Sequence, residues 1–146
     1  MSSVPDTIER ELILPAPPAR VWRALTDADQ LAAWFGTRAS VDLRPGGSVI
    51  FTWDEPGGAA AHHNRGVIEV LDPERRFAFR WHSGPEDQPM TLVDFTLEAH
   101  AQGTRLRLVE SGFASVPPDQ RQRNQAGWQR ELDDLVAYVS SAPGAQ

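Results

Sequence analysis

The sequence contains no cysteine and no lysine, and each absence removes a class of chemistry. Without cysteine there can be no disulfide, no thiolate nucleophile and no cysteine-ligated metal. All 14 basic residues are arginine, so a Schiff-base mechanism, which needs a lysine amine, is excluded. The formal net charge of −6 at pH 7 argues against nucleic-acid and anionic-lipid partners, because both require a clustered basic surface.

Long apolar runs are also missing. No stretch approaches the roughly 20 apolar residues that a membrane span needs, and the first eleven residues contain no apolar run of signal-peptide type. We therefore expect a cytoplasmic location and no membrane partner. The 146 residues, 40% hydrophobic and 23% charged, predict one globular domain with a core at about residues 7–140 and a tail at 141–146.

The first third of the chain predicts one strand followed by two short helices. Residues 8–14 predict a strand, which a proline-rich stretch ends because proline cannot donate to a sheet ladder. Residues 18–26 place their apolar side chains at helical intervals. Asp27 or Asp29 is expected to cap a second short helix that carries Trp34.

From Val41 onward the apolar period changes to two, which is typical of half-buried strands. Turn residues divide this region into about six consecutive strands with short connections, a pattern that favours an antiparallel meander. Aromatic residues dominate the positions expected to face inward, namely Phe51, Trp53, Phe77, Phe79, Trp81 and Phe95.

One long helix is predicted near the C-terminus, from about Pro118 to about Ser140. Its apolar residues form a single stripe, made of Trp128, Leu132, Leu135, Val136 and Val139. A sheet with one apolar face must cover that face, and this helix is the only long amphipathic element in the sequence. The predicted fold class is therefore α+β of the helix-grip type. It has a curved antiparallel sheet of about seven strands, two short helices after the first strand and a long C-terminal helix.

Short segments spread along nearly the whole chain share the order and spacing of a known family. They are PARVWRALT at 18–26, LAAWF at 31–35, PGG at 45–47, GVIEV at 66–70, PERRF at 73–77, GTRL at 103–106, ESGF at 110–113 and GW at 127–128. In this combination the sequence resembles the START-like (SRPBCC) superfamily. Within it, the sequence is similar to bacterial members of the branch named after the activator of the heat-shock-protein-ninety ATPase.

The resemblance implies one START-like domain and, since relatives are often dimeric, a homodimer as the candidate assembly. The chain departs from many relatives at Asn124, where they carry histidine. Because an amide does not titrate, an acid–base role at that position is lost here. The family name alone does not transfer ATPase activation to this chain.

Glu110 is the polar residue with the most informative position. Its parity with Leu106 and Leu108 turns it toward the aromatic interior, where an unpaired carboxylate is costly and its ionisation disfavoured. One interpretation is a ligand-orienting or acid–base group, which makes Glu110 the candidate catalytic residue. The other is a structural carboxylate that pairs with an arginine or with Asn124, or that reaches solvent at the strand end.

No metal site and no cofactor are expected. His62 and His63 are adjacent strand residues that point to opposite faces, so they cannot share one ion without a distorted backbone. His82 and His100 are isolated and expected to face outward. Arg65 is a candidate partner for an acidic ligand, although its parity leaves its face open.

These patterns predict non-catalytic binding of a hydrophobic or aromatic small molecule between the sheet and the C-terminal helix. For Trp34 and Trp128 a plain core role stays open. The residues expected to contact the ligand are Trp34, Phe51, Trp53, Phe79, Trp81, Phe95, Glu110, Asn124 and Trp128.

Two other functions remain open. The superfamily fold permits a cyclase- or aromatase-type enzyme, which would use Glu110. The family name suggests a co-chaperone-like protein-interaction module, which would need an exposed apolar or charged patch on the outer face of the sheet.

Overall fold

A computed structural model describes residues 6–35, 38–53, 62–82 and 88–140. Gly36, expected to close the second helix, and the expected tail at 141–146 lie outside the described residues. The elements in chain order are β1 (Thr7–Leu14), α1 (Pro18–Thr26), α2 (Ala28–Trp34), β2 (Arg38–Val41), β3 (Ser48–Trp53), β4 (His62–Asp72), β5 (Arg76–His82), β6 (Thr91–His100), β7 (Gly103–Ser111), a 3₁₀ turn (Phe113–Ser115) and α3 (Pro118–Ser140).

The two short helices follow from local sequence signals. Pro18 stands in the first turn of α1, where its missing N–H costs nothing. Of the two capping candidates, Asp27 caps α2, because its side chain accepts a hydrogen bond from the backbone N–H of Asp29 at 3.3 Å. The indole N–H of Trp34 donates to the carbonyl of Ala24 at 2.7 Å, which ties α2 to α1.

The seven strands form one antiparallel sheet in the order β1-β7-β6-β5-β4-β3-β2. Strands β2 to β7 pair with their neighbours in sequence, as the short connections predicted, and β1 joins the edge beside β7. A register shift between Ile68 and Val70 interrupts the β4–β5 ladder, and shifts of this kind bend a strand. The predicted helix-grip architecture, a curved sheet with a long C-terminal helix, is confirmed.

Helix α3 covers the apolar face of the sheet with the predicted stripe. Trp128, Leu132, Leu135 and Val139 are buried, and Val136 is half-buried. Most other residues of the helix are polar or charged. None of the helices in the described part of the chain is long and apolar enough to cross a membrane.

The aromatic residues of the sheet fill most of the space beneath α3. Phe51, Phe77 and Phe79 are each about 1% exposed. The ring centroid of Phe79 lies 5.5 Å from that of Phe51 and 5.4 Å from that of Phe77. The interior is therefore packed over the middle of the sheet, and open space lies toward one end of it.

Candidate functional site

A pocket of about 360 Å³ lies where β3 ends, β4 begins and β5 ends, against the first half of α3, and it opens to solvent. Four aromatic residues line it, namely Phe35, Trp53, Trp81 and Trp128. Gly127 and six polar or charged residues complete the wall; the six are Asn64, Gln120, Arg123, Asn124, Arg130 and Glu131. The pocket is therefore amphipathic rather than purely apolar.

Phe35, the residue directly after α2, stands at the centre of the aromatic wall. Its ring stacks on Trp128 with a centroid distance of 5.4 Å and on Trp81 with a distance of 6.0 Å. Trp53 meets it edge-on at 5.2 Å. Phe35, Trp81 and Trp128 are each 3–4% exposed while Trp53 is half-buried, so Trp53 is the most accessible of the four rings.

Glu110 lies directly behind this wall, fully buried at 0% exposure. The indole N–H of Trp128 donates to Oε1 at 2.7 Å, and that of Trp81 donates to Oε2 at 2.9 Å. The Thr91 hydroxyl donates to Oε2 at 2.6 Å, and Nδ2 of Asn124 lies 3.2 and 3.1 Å from the two oxygens. Of the structural roles considered for Glu110, pairing with Asn124 is therefore the one observed, and its other partners are neutral side chains rather than an arginine.

Burial raises the pKa of Glu110 above the ordinary value of 4.5, because a charged carboxylate loses its hydration there. The hydrogen bonds from Thr91, Trp81, Trp128 and Asn124 oppose that rise without cancelling it. The carboxylate accepts bonds from four side chains and does not line the pocket, so it is placed to position the wall rather than to touch a ligand.

A chain of side-chain hydrogen bonds runs from Glu110 along the pocket wall to the surface. Asn124 turns its NH₂ group toward Glu110, so its Oδ1 accepts from Nε2 of Gln120 at 2.6 Å. Oε1 of Gln120 then accepts from Nη2 of Arg123 at 2.7 Å. Arg123 also donates to Asp119 at 2.7 Å, and this hydrogen bond lowers the pKa of Asp119. The buried carboxyl group of Glu110 thus sets the direction of each amide in the chain.

The residues predicted to contact a ligand fall into three groups. Trp53, Trp81, Asn124 and Trp128 line the pocket. Glu110 lies behind it. The other four are buried core residues that do not line this pocket, namely Trp34, Phe51, Phe79 and Phe95.

Asn64 is a pocket residue that the sequence analysis did not select. It is 6% exposed, while its neighbour Arg65 is exposed on the opposite face of β4 and does not line the pocket. Parity with the buried residues Gly66 and Ile68 is the signal that places Asn64 inward. Arg65 therefore does not lie where it could meet an acidic ligand in this pocket.

His63 is exposed and its Nδ1 lies 2.9 Å from the Thr52 hydroxyl, while His82 and His100, expected to face outward, are half-buried. Within the described ranges, no group of three or more histidine, aspartate or glutamate residues could hold a metal ion.

Comparisons with known proteins agree on the architecture. A family model described as "Activator of Hsp90 ATPase homolog 1-like protein" matches residues 15–140. Protein CV1439 from Chromobacterium violaceum is 29% identical, with 92% of this chain and 98% of that chain covered and a TM-score of 0.78. An AHSA1-like protein from Aeromonas hydrophila is 26% identical, with 93% of each chain covered and a TM-score of 0.78.

A third solved structure is that of DynU16, a protein from the dynemicin biosynthetic locus. It is 27% identical, with a TM-score of 0.77; the match covers 94% of this chain but 48% of DynU16. No curated protein matches the chain.

Proposed function

The chain belongs to the family of Activator of Hsp90 ATPase homolog 1-like proteins, and from that premise we propose that it binds an aromatic small molecule, without catalysis, between the sheet and α3. The observation that carries the proposal is the pocket. Its volume of about 360 Å³ falls in the range of roughly 300–1,000 Å³ that is usual for small-molecule sites. Its wall combines aromatic rings with a few convergent polar groups, as such sites do.

The wall is held in place before any ligand arrives. Glu110 fixes the indoles of Trp81 and Trp128 and the amide of Asn124 by hydrogen bonds of 2.7–3.2 Å. Side chains held in this way lose little further freedom on binding, which favours affinity. The likeness to DynU16, whose locus is biosynthetic, is consistent with a small-molecule ligand.

The enzyme alternative finds little support in this geometry. A cyclase- or aromatase-type reaction would need a titratable group in contact with the substrate. Glu110 does not line the pocket, and its two oxygens already accept hydrogen bonds from four side chains. Asn124, which does line the pocket, carries an amide that is neither an acid nor a base at ordinary pH. Glu131 is the carboxylate of the pocket wall, and it already interacts with another residue.

The interaction-module alternative is also disfavoured. Charged residues on the outer face of the sheet pair with each other, as in Arg76–Asp94 at 2.8 Å and Arg80–Glu69 at 3.1 Å. Three large hydrophobic residues are exposed in the described part of the chain, namely Ile13, Leu43 and Val67, and Ile13 on β1 lies across the sheet from Val67 on β4. A docking surface would gather such residues into one patch.

The proposal is tested by native mass spectrometry of freshly purified protein and by thermal shift against a library of one- and two-ring aromatic compounds. Gly127→Leu places a side chain into the pocket, whereas Ala126→Leu adds the same side chain at an exposed neighbouring position of α3. Ligands are expected to raise the Tm of the wild type and of Ala126→Leu, and to leave the Tm of Gly127→Leu unchanged. A wild-type spectrum without bound small molecules, together with no thermal shift across the library, would overturn the proposal.

A further inference from the structure

We propose that the ligand is a small aromatic acid whose anionic group binds Arg130 at the pocket opening and whose far end donates a hydrogen bond to Asn64. This inference rests on the proposed binding function and adds the chemical class of the ligand. It depends on two polar groups that line the pocket without a partner of their own.

Arg130 is the first of these groups. It is exposed, lines the pocket and makes no hydrogen bond or ion pair with any residue that the structure describes. The two other charged residues of the wall are engaged: Arg123 with Asp119 and Gln120, and Glu131 in an interaction with another residue. Arg130 is therefore the charged wall residue that has a full charge to offer a ligand.

The helix geometry aims this charge at the pocket. Side chains on a helix lean toward its N-terminus, so Arg130 lies over the preceding turn, where Gly127 stands. Nη2 of Arg130 is 4.0 Å from the place where a Cβ at residue 127 would be. Asp134 lies one turn further along α3, yet it forms no ion pair with Arg130. With no side chain at Gly127, nothing on that turn separates the guanidinium from the pocket.

A guanidinium in this position selects for an anion. Its planar fork of N–H donors matches a carboxylate with two parallel hydrogen bonds. The protein as a whole carries a net charge of −6, which disfavours an anionic ligand over most of the surface. The positive charge of Arg130 favours an anion at the pocket opening.

Asn64 is the second group. It is 94% buried, and its Oδ1 has no hydrogen-bond partner among the described residues. A buried acceptor left without a donor costs about 1–3 kcal/mol. Oδ1 itself exposes less than 1 Å², so a hydroxyl or N–H on the ligand removes that cost when the Asn64 amide turns toward the pocket, and the far end of the ligand is expected to be a donor.

The volume limits what can lie between these two groups. About 360 Å³ is at the low end for ligand sites, which suits one ring or two fused rings. The half-buried indole of Trp53, together with the accessible parts of Phe35 and Trp128, forms the aromatic surface along which a flat ring can pack.

The test uses isothermal titration calorimetry with three probes: 6-hydroxy-2-naphthoic acid, its neutral amide 6-hydroxy-2-naphthamide, and 2-naphthoic acid, which lacks the donor. The proteins are the wild type, Arg130→Gln and Arg23→Gln; the last removes the same charge from an exposed site on α1 outside the pocket. The hydroxy acid is expected to bind the wild type and Arg23→Gln about tenfold more tightly than the amide. Arg130→Gln is expected to abolish most of that preference, and 2-naphthoic acid to bind the wild type several-fold more weakly than the hydroxy acid.

The possible results separate the two proposals. If acid and amide bind the wild type equally, or if Arg130→Gln keeps the preference for the acid, the assignment of an anion to Arg130 is overturned while the binding function stands. If 2-naphthoic acid binds as tightly as the hydroxy acid, the role of Asn64 is overturned. If none of the three probes binds and the aromatic library also gives no hit, the binding function itself fails.

Discussion

At the scale of single residues, Glu110 shows how a buried acid is made compatible with an apolar interior. Both carboxyl oxygens can accept hydrogen bonds, and all four side chains around Glu110 donate to them. Burial still raises the pKa of Glu110, because hydrogen bonds from neutral donors replace bulk hydration only in part. The carboxylate therefore works as a positioning residue for Trp81, Trp128 and Asn124.

Glu110→Gln is expected to destabilise the protein by about 1–3 kcal/mol near pH 5, because the new NH₂ group faces N–H and O–H donors and leaves at least one of them without an acceptor. The measurement is urea unfolding followed by tryptophan fluorescence. Glu98→Gln is the matched control: its side chain is 69% exposed in a surface ion pair with Arg105, so a change within about 0.5 kcal/mol is expected.

The difference in stability between the wild type and Glu110→Gln is expected to depend on pH. A carboxyl whose pKa is raised by folding contributes stability below its ordinary value of 4.5 and loses that contribution as the pH rises through the raised pKa. The free energy of unfolding of the wild type therefore falls as the pH rises from 4.5 through the raised pKa of Glu110. The Glu110→Gln variant has no titrating group at this position, so it lacks this pH dependence. The stability gap between the wild type and Glu110→Gln is expected to narrow from about pH 5 to pH 8; a widening gap would contradict the raised pKa.

At the scale of elements, α3 has two different surfaces. Its stripe from Trp128 to Val139 covers the sheet, while its first half lines the pocket through Gln120, Asn124 and Gly127. A glycine inside a helix costs about 0.5–1 kcal/mol relative to alanine. Apart from its chain neighbours and the backbone of its own helix, the nearest atom that a methyl group at Gly127 would meet is Nη2 of Arg130 at 4.0 Å, so close packing does not require glycine there.

Gly127→Ala is therefore expected to raise the stability of the ligand-free protein by about 0.5–1 kcal/mol and, by narrowing the pocket, to weaken binding of 6-hydroxy-2-naphthoic acid. Urea unfolding and calorimetry measure the two effects. Ala126→Gly, at an exposed position of the same helix, should lower stability by a similar amount and leave binding unchanged. Equal affinity of Gly127→Ala and wild type would show that the space over Gly127 is not used by the ligand.

At the scale of the whole molecule, buried residues from β1 to α3 belong to one hydrophobic cluster. Leu135 of α3 is 0% exposed at the interface between the helix and the sheet. A cluster shared by all these elements ties the two helices near the N-terminus, the sheet and α3 into a single packing unit, so we expect them to unfold together.

Leu135→Ala is expected to cost about 2–5 kcal/mol, because it removes buried methyl groups and leaves a cavity. Leu43→Ala, at a side chain that is 46% exposed, should cost much less. Far-UV circular dichroism and tryptophan fluorescence should report one coincident transition for both variants and for the wild type. Two separate transitions would mean that α3 and the sheet unfold independently.

The sequence by itself determined the order of the elements, the α+β class, the family, and the inward face of the aromatic strand residues and of Glu110. Hydrophobic periodicity is a local property, so the change from period 2 to a helical period located α3, and parity turned Glu110 inward. The same parity was present for Asn64, but a lone amide between buried neighbours carries no signal that its oxygen will be left without a donor.

Only the tertiary structure decided how deep each inward residue lies and what surrounds it. Phe51 and Phe79 have the same inward parity as Trp81, yet they fill the core while Trp81 borders the pocket. The donors that hold Glu110 come from β5, β6 and α3, between 14 and 29 positions away in the sequence. Periodicity determines the side of a helix or strand on which a residue lies. Core packing, cavities and buried hydrogen bonds depend instead on side chains from elements distant in sequence, which meet only when the sheet curves around its helix.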